Sequence, residues 1–497
     1  MRLSQAAKAL DAQLVGPDIE FMSVSTDSRK IKAGDLFIAL RGENFDGYAY
    51  VAQSLQGGAV AAMVNNDSHR GSGSAAPGMQ SHASNSAPDP QSSILIVEDT
   101  RLALGKLAAY WRARFDIPLV AITGSNGKTT VKEMLAAILR NATGDEESVL
   151  ATKGNFNNDI GMPLTLLQLT AQHRYAVIEM GMSHAGEIDY LTRLAKPQVA
   201  VVNNASGAHL QGLGSVEAVA RAKGEIFAGL DKSGIAVINA DDAHAGLWRD
   251  LASEHQVLDF SLQHEAVVQG IWTAQGYGGL LQAQTPAGEL QVVLQVPGVH
   301  NARNALAAVT TALALQIPLS VITQALADFS GVSGRLQRKQ AVRGATLIDD
   351  TYNANPASMR AALEVLAQAS GKRIFVLGDM GELGEDAAQF HREVGHLART
   401  LGIERLLALG ELSAGAVHAF GSGAEHYASV EALCVSLEKE LDARTTILVK
   451  GSRFMKMERV VTHCVGTDKG EAGKGVELGD SIPTSFNLPA SRKKEFH

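Results

Sequence analysis

The chain has little cysteine: two residues, Cys434 and Cys464, in 497, far apart and outside any metal-ligand spacing. That excludes a disulfide scaffold and fits a reducing, cytoplasmic setting. No apolar run is long enough for a membrane span. The most apolar helical pattern, Ala302 to Leu315, is broken by Arg303 and Asn304 and is too short to cross a bilayer. Met1 to Leu10 carries Arg2, Gln5 and Lys8 and has no small-residue cleavage site, so it does not read as a secretory signal. Excess positive charge is also missing. The formal net charge is −8, which argues against a general nucleic-acid or membrane-surface binder, so an anionic substrate needs a local basic pocket. The rest of the composition, 45% hydrophobic and 19% charged, is that of a soluble globular protein, and 497 residues are too many for one core. About three domains are expected.

The most informative stretch present is Ile122-Thr123-Gly124-Ser125-Asn126-Gly127-Lys128-Thr129-Thr130. An apolar run, Pro118 to Ile122, leads into it and a helical pattern, Val131 to Arg140, leads out, so the glycines lie on a strand-to-helix turn. Such a turn aims backbone N–H groups and a helix N-terminus at one point, which suits a phosphate. Lys128 can reach the outer phosphates, and the Thr129 hydroxyl can ligate Mg²⁺. The spacing G-x-x-G-K-T is tighter than the general G-x-x-x-x-G-K-[ST] pattern. Residues 124 to 130, namely Gly124, Ser125, Asn126, Gly127, Lys128, Thr129 and Thr130, are the expected nucleotide contacts.

Residues 1–97 read as a small α/β domain with strands at Asp35–Leu40, Val60–Val64 and Ile94–Val97. Between Asp67 and Ser93 a run of Ser, Gly, Ala, Pro and His lacks periodicity and reads as a disordered insert. Residues 98–333 hold the phosphate loop and strands Leu119–Ile122, Ala176–Met180, Val199–Asn203 and Ile235–Asn239. Apolar strands alternating with helices imply a parallel sheet covered on both faces, with ligands at the carboxyl ends of its strands. Two such ends carry Glu179 and Asn203-Asn204, with His209 shortly after. Residues 334–464 read as a second open α/β sheet, Rossmann-like but without a G-x-G-x-x-G fingerprint, whose strands end on Asp349-Asp350, Gly378-Asp379 and Lys450-Gly451. Residues 465–497 are Gly-, Ser- and charge-rich and read as a disordered tail.

Taken as a set, these motifs resemble the Mur ligases of bacterial peptidoglycan synthesis. The resemblance is carried by Thr26-Asp27-Ser28-Arg29, by Gly34 through Gly42, by the phosphate loop, by Thr152 through Gly161, and by Glu179-Met180-Gly181. It continues in Asn203 through Gly214, Ala222 through Phe227, Gly298 through Asn304, Asp350 through Pro356, and Leu377 through Met380. The stretches after Thr152 and from Asp350 to Pro356 favour the branch that adds D-alanyl-D-alanine to UDP-N-acetylmuramoyl-tripeptide with ATP, through an acyl phosphate. Another Mur-type amide ligase or a folylpolyglutamate synthetase, from the same superfamily, is the alternative, and a plain P-loop nucleotide hydrolase a more distant one.

The resemblance implies roles residue by residue. Lys128 contacts the outer phosphates. Thr129 and Glu179 hold one Mg²⁺, His209 ligates a second, and Lys223 is carbamylated and helps hold that metal. Asn301 and Asn304 lie near the adenine, and Arg335 and Asp350 reach the ATP from the third domain. Ser28, Asn157 and Asn158 contact the UDP-linked substrate. By the layout of the domains, Asn353, Asn355, Asp379 and Lys450 meet the acceptor dipeptide. Read without the family, Lys223 and Arg335 are surface charges, His209 is a structural histidine, and Asn301 and Asn304 are helix caps. A cytoplasmic monomer is expected, with neither nucleic acid nor membrane as partner.

Overall fold

The strand and helix signals resolve into three α/β sheets and a short two-stranded ribbon, Arg41–Gly42 with Phe45–Asp46, in a computed structural model that describes residues 1–42, 45–66, 92–207 and 213–466. His209 and nearly all of the expected insert and tail lie outside the described residues. Ser93, assigned to the insert, opens the strand Ser93–Val97 and donates to Pro17 O at 2.6 Å, and Val465 closes the helix Glu458–Val465. The chain separates into two compact units, and the second begins at Phe115.

The first unit carries a five-stranded sheet in the order Gln13–Val15, Ser93–Val97, Ala61–Asn65, Asp35–Ile38, Ser23–Ser25, antiparallel only at its first pair. Its core is Phe37, Ala62, Val64, Ile94 and Ile96 with Val51 of a covering helix. The helix Thr100–Arg112 is capped by Asp99, whose carboxylate accepts from the N–H groups of Arg101 and Leu102.

The second unit holds the two larger sheets. The larger has nine strands, with Leu119–Thr123 between Tyr175–Glu179 and Val199–Val202, and all three run parallel. Strand order reverses at Leu119–Thr123, the place where open α/β sheets gather ligands. All five of its residues are buried, and each large aliphatic side chain so buried contributes about 1.5–3 kcal/mol. The helix after it, Lys128–Thr143, turns Val131, Met134, Leu135, Ile138 and Leu139 into the same cluster as Ala302, Leu306 and Val309 of the helix Val299–Ala314. It ends at Gly144, whose φ of 67° is left-handed.

The sequence implied a purely parallel sheet here. The parallel core is present, but an antiparallel ribbon, Val268–Gln275, Gly278–Thr285 and Gly288–Leu294, extends it on one side. Leu290, Val292 and Leu294 point inward in strict alternation with exposed neighbours, a pattern that suits a half-buried strand. The third sheet has six strands in the order Gln337–Gln340, Thr346–Asp350, Thr445–Lys450, Lys372–Gly378, Arg405–Leu409, Ala424–Tyr427 and is parallel except at its first pair. Among the described residues no helix is long and apolar enough to cross a membrane.

Candidate active site

Gly127 (φ 81°) immediately precedes the helix Lys128–Thr143 and serves as its N-cap. A left-handed residue here turns the chain sharply enough to leave the first helical N–H groups open. A network of amide side chains holds the loop around it. Asn203 Nδ2 and Asn204 Nδ2 donate to Asn126 O at 3.0 and 2.9 Å, and Asn126 N–H donates to Asn204 Oδ1 at 2.8 Å. Asn203 Nδ2 also donates to Asn304 Oδ1 at 2.9 Å, Asn304 Nδ2 to Asn301 Oδ1 at 3.2 Å, and Asn301 Nδ2 to Pro297 O at 2.8 Å. Asn301 and Asn304 therefore lie inside the first turns of their helix, buried and bonded toward the loop, with Gly298 as the N-cap. The cap reading of the two asparagines does not hold. Asn203 and Asn204, expected at this strand end, carry the network, and Ser206 and Asn239 join it without having been picked out, because each is an ordinary polar residue until the fold brings the strand ends together.

Glu179 ends its strand buried, 3% exposed, and is held from both sides. Thr129 Oγ1 donates to Glu179 Oε2 at 2.8 Å, and Asn157 Nδ2 donates to Glu179 Oε1 at 2.8 Å. Arg335 Nη2 donates to Thr129 Oγ1 at 2.9 Å, so that one hydroxyl links a carboxylate of the central sheet to a cation arriving with the third. The guanidinium lies 4.2 Å over the Tyr352 ring, and its buried Nε has no partner among the described residues. Lys128 Nζ reaches back to Gly124 O at 2.6 Å. Burial lowers the Lys128 pKa, Glu179 partly restores it, and Arg335 lowers it again.

Lys223 sits on the buried face of the helix Val216–Gly224, capped by Ser215, and is 1% exposed. Burial, and then the charge of Lys128, push its pKa well below the ordinary lysine value. Lys128, Lys223 and Arg335 thus act on one region whose neighbouring carboxylate is Glu179. Lys128 and Arg335 beside a helix N-terminus form a receptor for a polyanion.

The remaining expected residues fall into groups. Asn355 caps the helix Pro356–Ala367 and donates to Asn126 Oδ1 at 2.8 Å, which brings it to the phosphate loop and not to a separate acceptor edge. Asp350 accepts from Leu336 N–H at 3.1 Å and from Lys450 Nζ at 2.5 Å, and Lys450 also donates to Asn353 O at 2.9 Å. Asp379 is taken up inside the third sheet, where Ser413 N–H, Ser413 Oγ and Leu412 N–H all donate to it. The acceptor edge read from the strand ends is therefore mostly spent on internal bonds, and Asn353 is its exposed member, with its Oδ1 accepting from Ala354 N–H at 2.9 Å. Asn158 Oδ1 accepts from Gly161 N–H at 2.8 Å. Ser28 lies half-buried at the start of the short turn Ser28–Lys30 in the first unit.

Comparison with known proteins agrees with this layout. The Mur ligase family, catalytic domain, matches residues 20–112, the Mur ligase middle domain matches 122–312, and the Mur ligase, glutamate ligase domain, matches 334–453. The UDP-N-acetylmuramoyl-tripeptide–D-alanyl-D-alanine ligase of Escherichia coli K12 is 42% identical over 92% of this chain and 97% of its own. A crystal structure of MurF from Acinetobacter baumannii superposes with a TM-score of 0.81 at 35% identity, covering 92% of this chain and 97% of that one. MurF from Thermotoga maritima, solved in complex with ADP, superposes at 0.75 with 26% identity over 88% and 96%. A loop built for phosphates at a sheet's reversal point, faced by a cation from a second sheet, defines a nucleotide-dependent ligase of one architecture: the chain belongs to the Mur ligase family. Within that family its likeness is to the MurF branch.

Proposed function

We propose that this chain joins UDP-N-acetylmuramoyl-tripeptide to D-alanyl-D-alanine at the expense of ATP, as the name of its 42% identical relative describes. The observation that carries the reading is the convergence of Lys128 and Arg335 on the loop beside Glu179. Two anions, a carboxylate and a triphosphate, must meet there, and fixed cations remove the repulsion between them.

In the first step an oxygen of the tripeptide carboxylate attacks the γ-phosphorus and the bond to ADP breaks. Gly124 to Thr130 cradle the phosphates through the first helical N–H groups after Gly127 and through Lys128, while Asn204 holds the N–H groups of Ser125 and Asn126. Arg335, with an unpaired Nε, answers the charge that grows on the transferred group. In the second step the acceptor amine attacks the acyl carbon, phosphate leaves, and the amine gives up its proton. The third sheet excludes water from the acyl phosphate while its loop carrying the exposed Asn353 receives the dipeptide. Asn301 and Asn304 support the loop beneath the nucleotide, and Asp350 acts from the third sheet. Ser28 and Asn158 serve the UDP-linked substrate, whereas Asn157 orients Glu179.

Mg²⁺ fits the donor set, because Thr129 Oγ1 and Glu179 Oε2 are adjacent hard oxygens. When bound it supplies charge neutralisation at the phosphates. Lys223 fits carbamylation: its lowered pKa favours the neutral amine that adds carbon dioxide, and the resulting anion faces Lys128. Lys223→Ala should be almost inactive and partly rescued by acetate or propionate, and no rescue at any concentration counts against the carbamate. The enzyme works as a cytoplasmic monomer in this reading.

The test is to trap the acyl phosphate. With ATP and the tripeptide substrate but no dipeptide, hydroxylamine should yield a hydroxamate of the tripeptide. ADP formation that ignores the tripeptide would instead make the chain a plain hydrolase.

A further inference from the structure

The antiparallel ribbon has a feature that the phosphate site does not use. Its first hairpin, between Val268–Gln275 and Gly278–Thr285, turns at Gly276 and Tyr277. The Tyr277 ring leaves the central sheet and packs against the core of the third, the cluster of Leu336, Ile348, Met359 and Leu363. Its hydroxyl donates to Leu336 O at 2.6 Å, and the Arg338 guanidinium lies 5.5 Å over the ring. From the other side Asp350 Oδ1 accepts from Leu336 N–H at 3.1 Å, and Lys450 holds Asp350. Both polar groups of one peptide residue are thus gripped, one from each sheet.

That residue is a poor candidate for the backbone it adopts. Leu336 has φ 49°, in the left-handed region that a leucine disfavours, and it follows Gly331 and Gly334, at 101° and 70°, in the segment that joins the two sheets. A strained non-glycine residue persists where its surroundings over-determine it. Arg335 is the preceding residue, and it is the one whose guanidinium reaches Thr129. Burial raises the pKa of the Tyr277 phenol, so it stays a donor throughout the neutral range.

We propose that Tyr277 is a positioning residue for Arg335: by clipping the Leu336 carbonyl it fixes the turn that delivers the guanidinium to the γ-phosphate. This rests on the proposed ATP-dependent reaction for its purpose, but its test does not need ligation. Tyr277→Phe keeps the ring in the core and removes only the hydroxyl. Affinities for ADP and for a non-hydrolysable ATP analogue are measured in the wild type, Tyr277→Phe, Arg335→Ala and the double variant. Tyr277→Phe should leave ADP affinity unchanged and weaken the ATP analogue by roughly tenfold. In the Arg335→Ala background it should add nothing, because the group it positions is gone. An equal loss for ADP and the ATP analogue, a full loss added on top of Arg335→Ala, or no loss at all would each overturn the proposal. If discrimination by the γ-phosphate follows Tyr277 while no ligation is found in the wild type, the fault lies with the assigned reaction and not with the clip.

Discussion

Replacing Gly127 with alanine tests whether the asparagine network builds the phosphate loop. Two costs arise. A left-handed φ of 81° disfavours any residue with a Cβ, by about 1–2 kcal/mol. The added methyl would also overlap Asn304 Oδ1 and come within 2.5 Å of Asn203 Nδ2. These amides are buried and bonded to each other, so pushing them apart leaves buried polar groups unpaired at roughly 1–3 kcal/mol each. Together the costs amount to roughly 3–8 kcal/mol, a fall in the melting temperature on the order of 10 °C for a unit of this size. Gly144 supplies the control. It is left-handed as well, φ 67°, but a Cβ there meets nothing within 4 Å, so Gly144→Ala bears only the first cost. Thermal unfolding and ATP titration of both variants separate the two. Gly127→Ala should melt well below Gly144→Ala and bind ATP at least about tenfold more weakly. Equal melting temperatures, or wild-type ATP affinity in Gly127→Ala, would refute the reasoning.

Lys128→Ala should abolish ligation and leave the melting temperature near that of the wild type, since the buried amine it removes bonds mainly to Gly124 O; near-normal turnover at saturating ATP would contradict the loop assignment. Lys450→Met should destabilise by about 3–5 kcal/mol in denaturant titration, because Asp350 is then buried without its partner; a loss under about 1 kcal/mol would show the pair to be dispensable. The lowered pKa of Lys223 carries a sign that can be checked. Between that lowered value and 10.5 the unfolded chain binds more protons than the folded one, so stability rises with pH across that window and levels off above it. In buffers free of carbon dioxide, Lys223→Met should lose this part of the rise, and a wild-type-minus-variant stability difference independent of pH would exclude it.

The phosphate loop was legible because its evidence is local: glycines, lysine and threonine sit together between an apolar strand and an amphipathic helix. Glu179 was legible for a related reason, as a carboxylate closing an otherwise apolar strand. The ribbon from Val268 to Leu294 was not read, although its alternation is clear in the structure, since a parallel α/β pattern set the expectation on both sides. The acceptor edge was read by residue type alone. Asp379 and Lys450 have the right charges, but their partners, Ser413 and Asp350, come from other segments and only folding brings them within bonding distance. The same holds for Asn203 and Asn304, 101 residues apart and bonded at the loop. Tyr277 gave no signal, because a tyrosine at a hairpin turn is common and its contact with Leu336 depends on how two sheets meet.

The central claim is tested most directly by phosphate release from ATP in the presence of UDP-N-acetylmuramoyl-tripeptide, with D-alanyl-D-alanine compared against D-alanine, L-alanyl-L-alanine and glutamate. The account predicts release that depends on the tripeptide and runs with D-alanyl-D-alanine far faster than with the other three. Release that proceeds equally with glutamate, or without any acceptor, would contradict it.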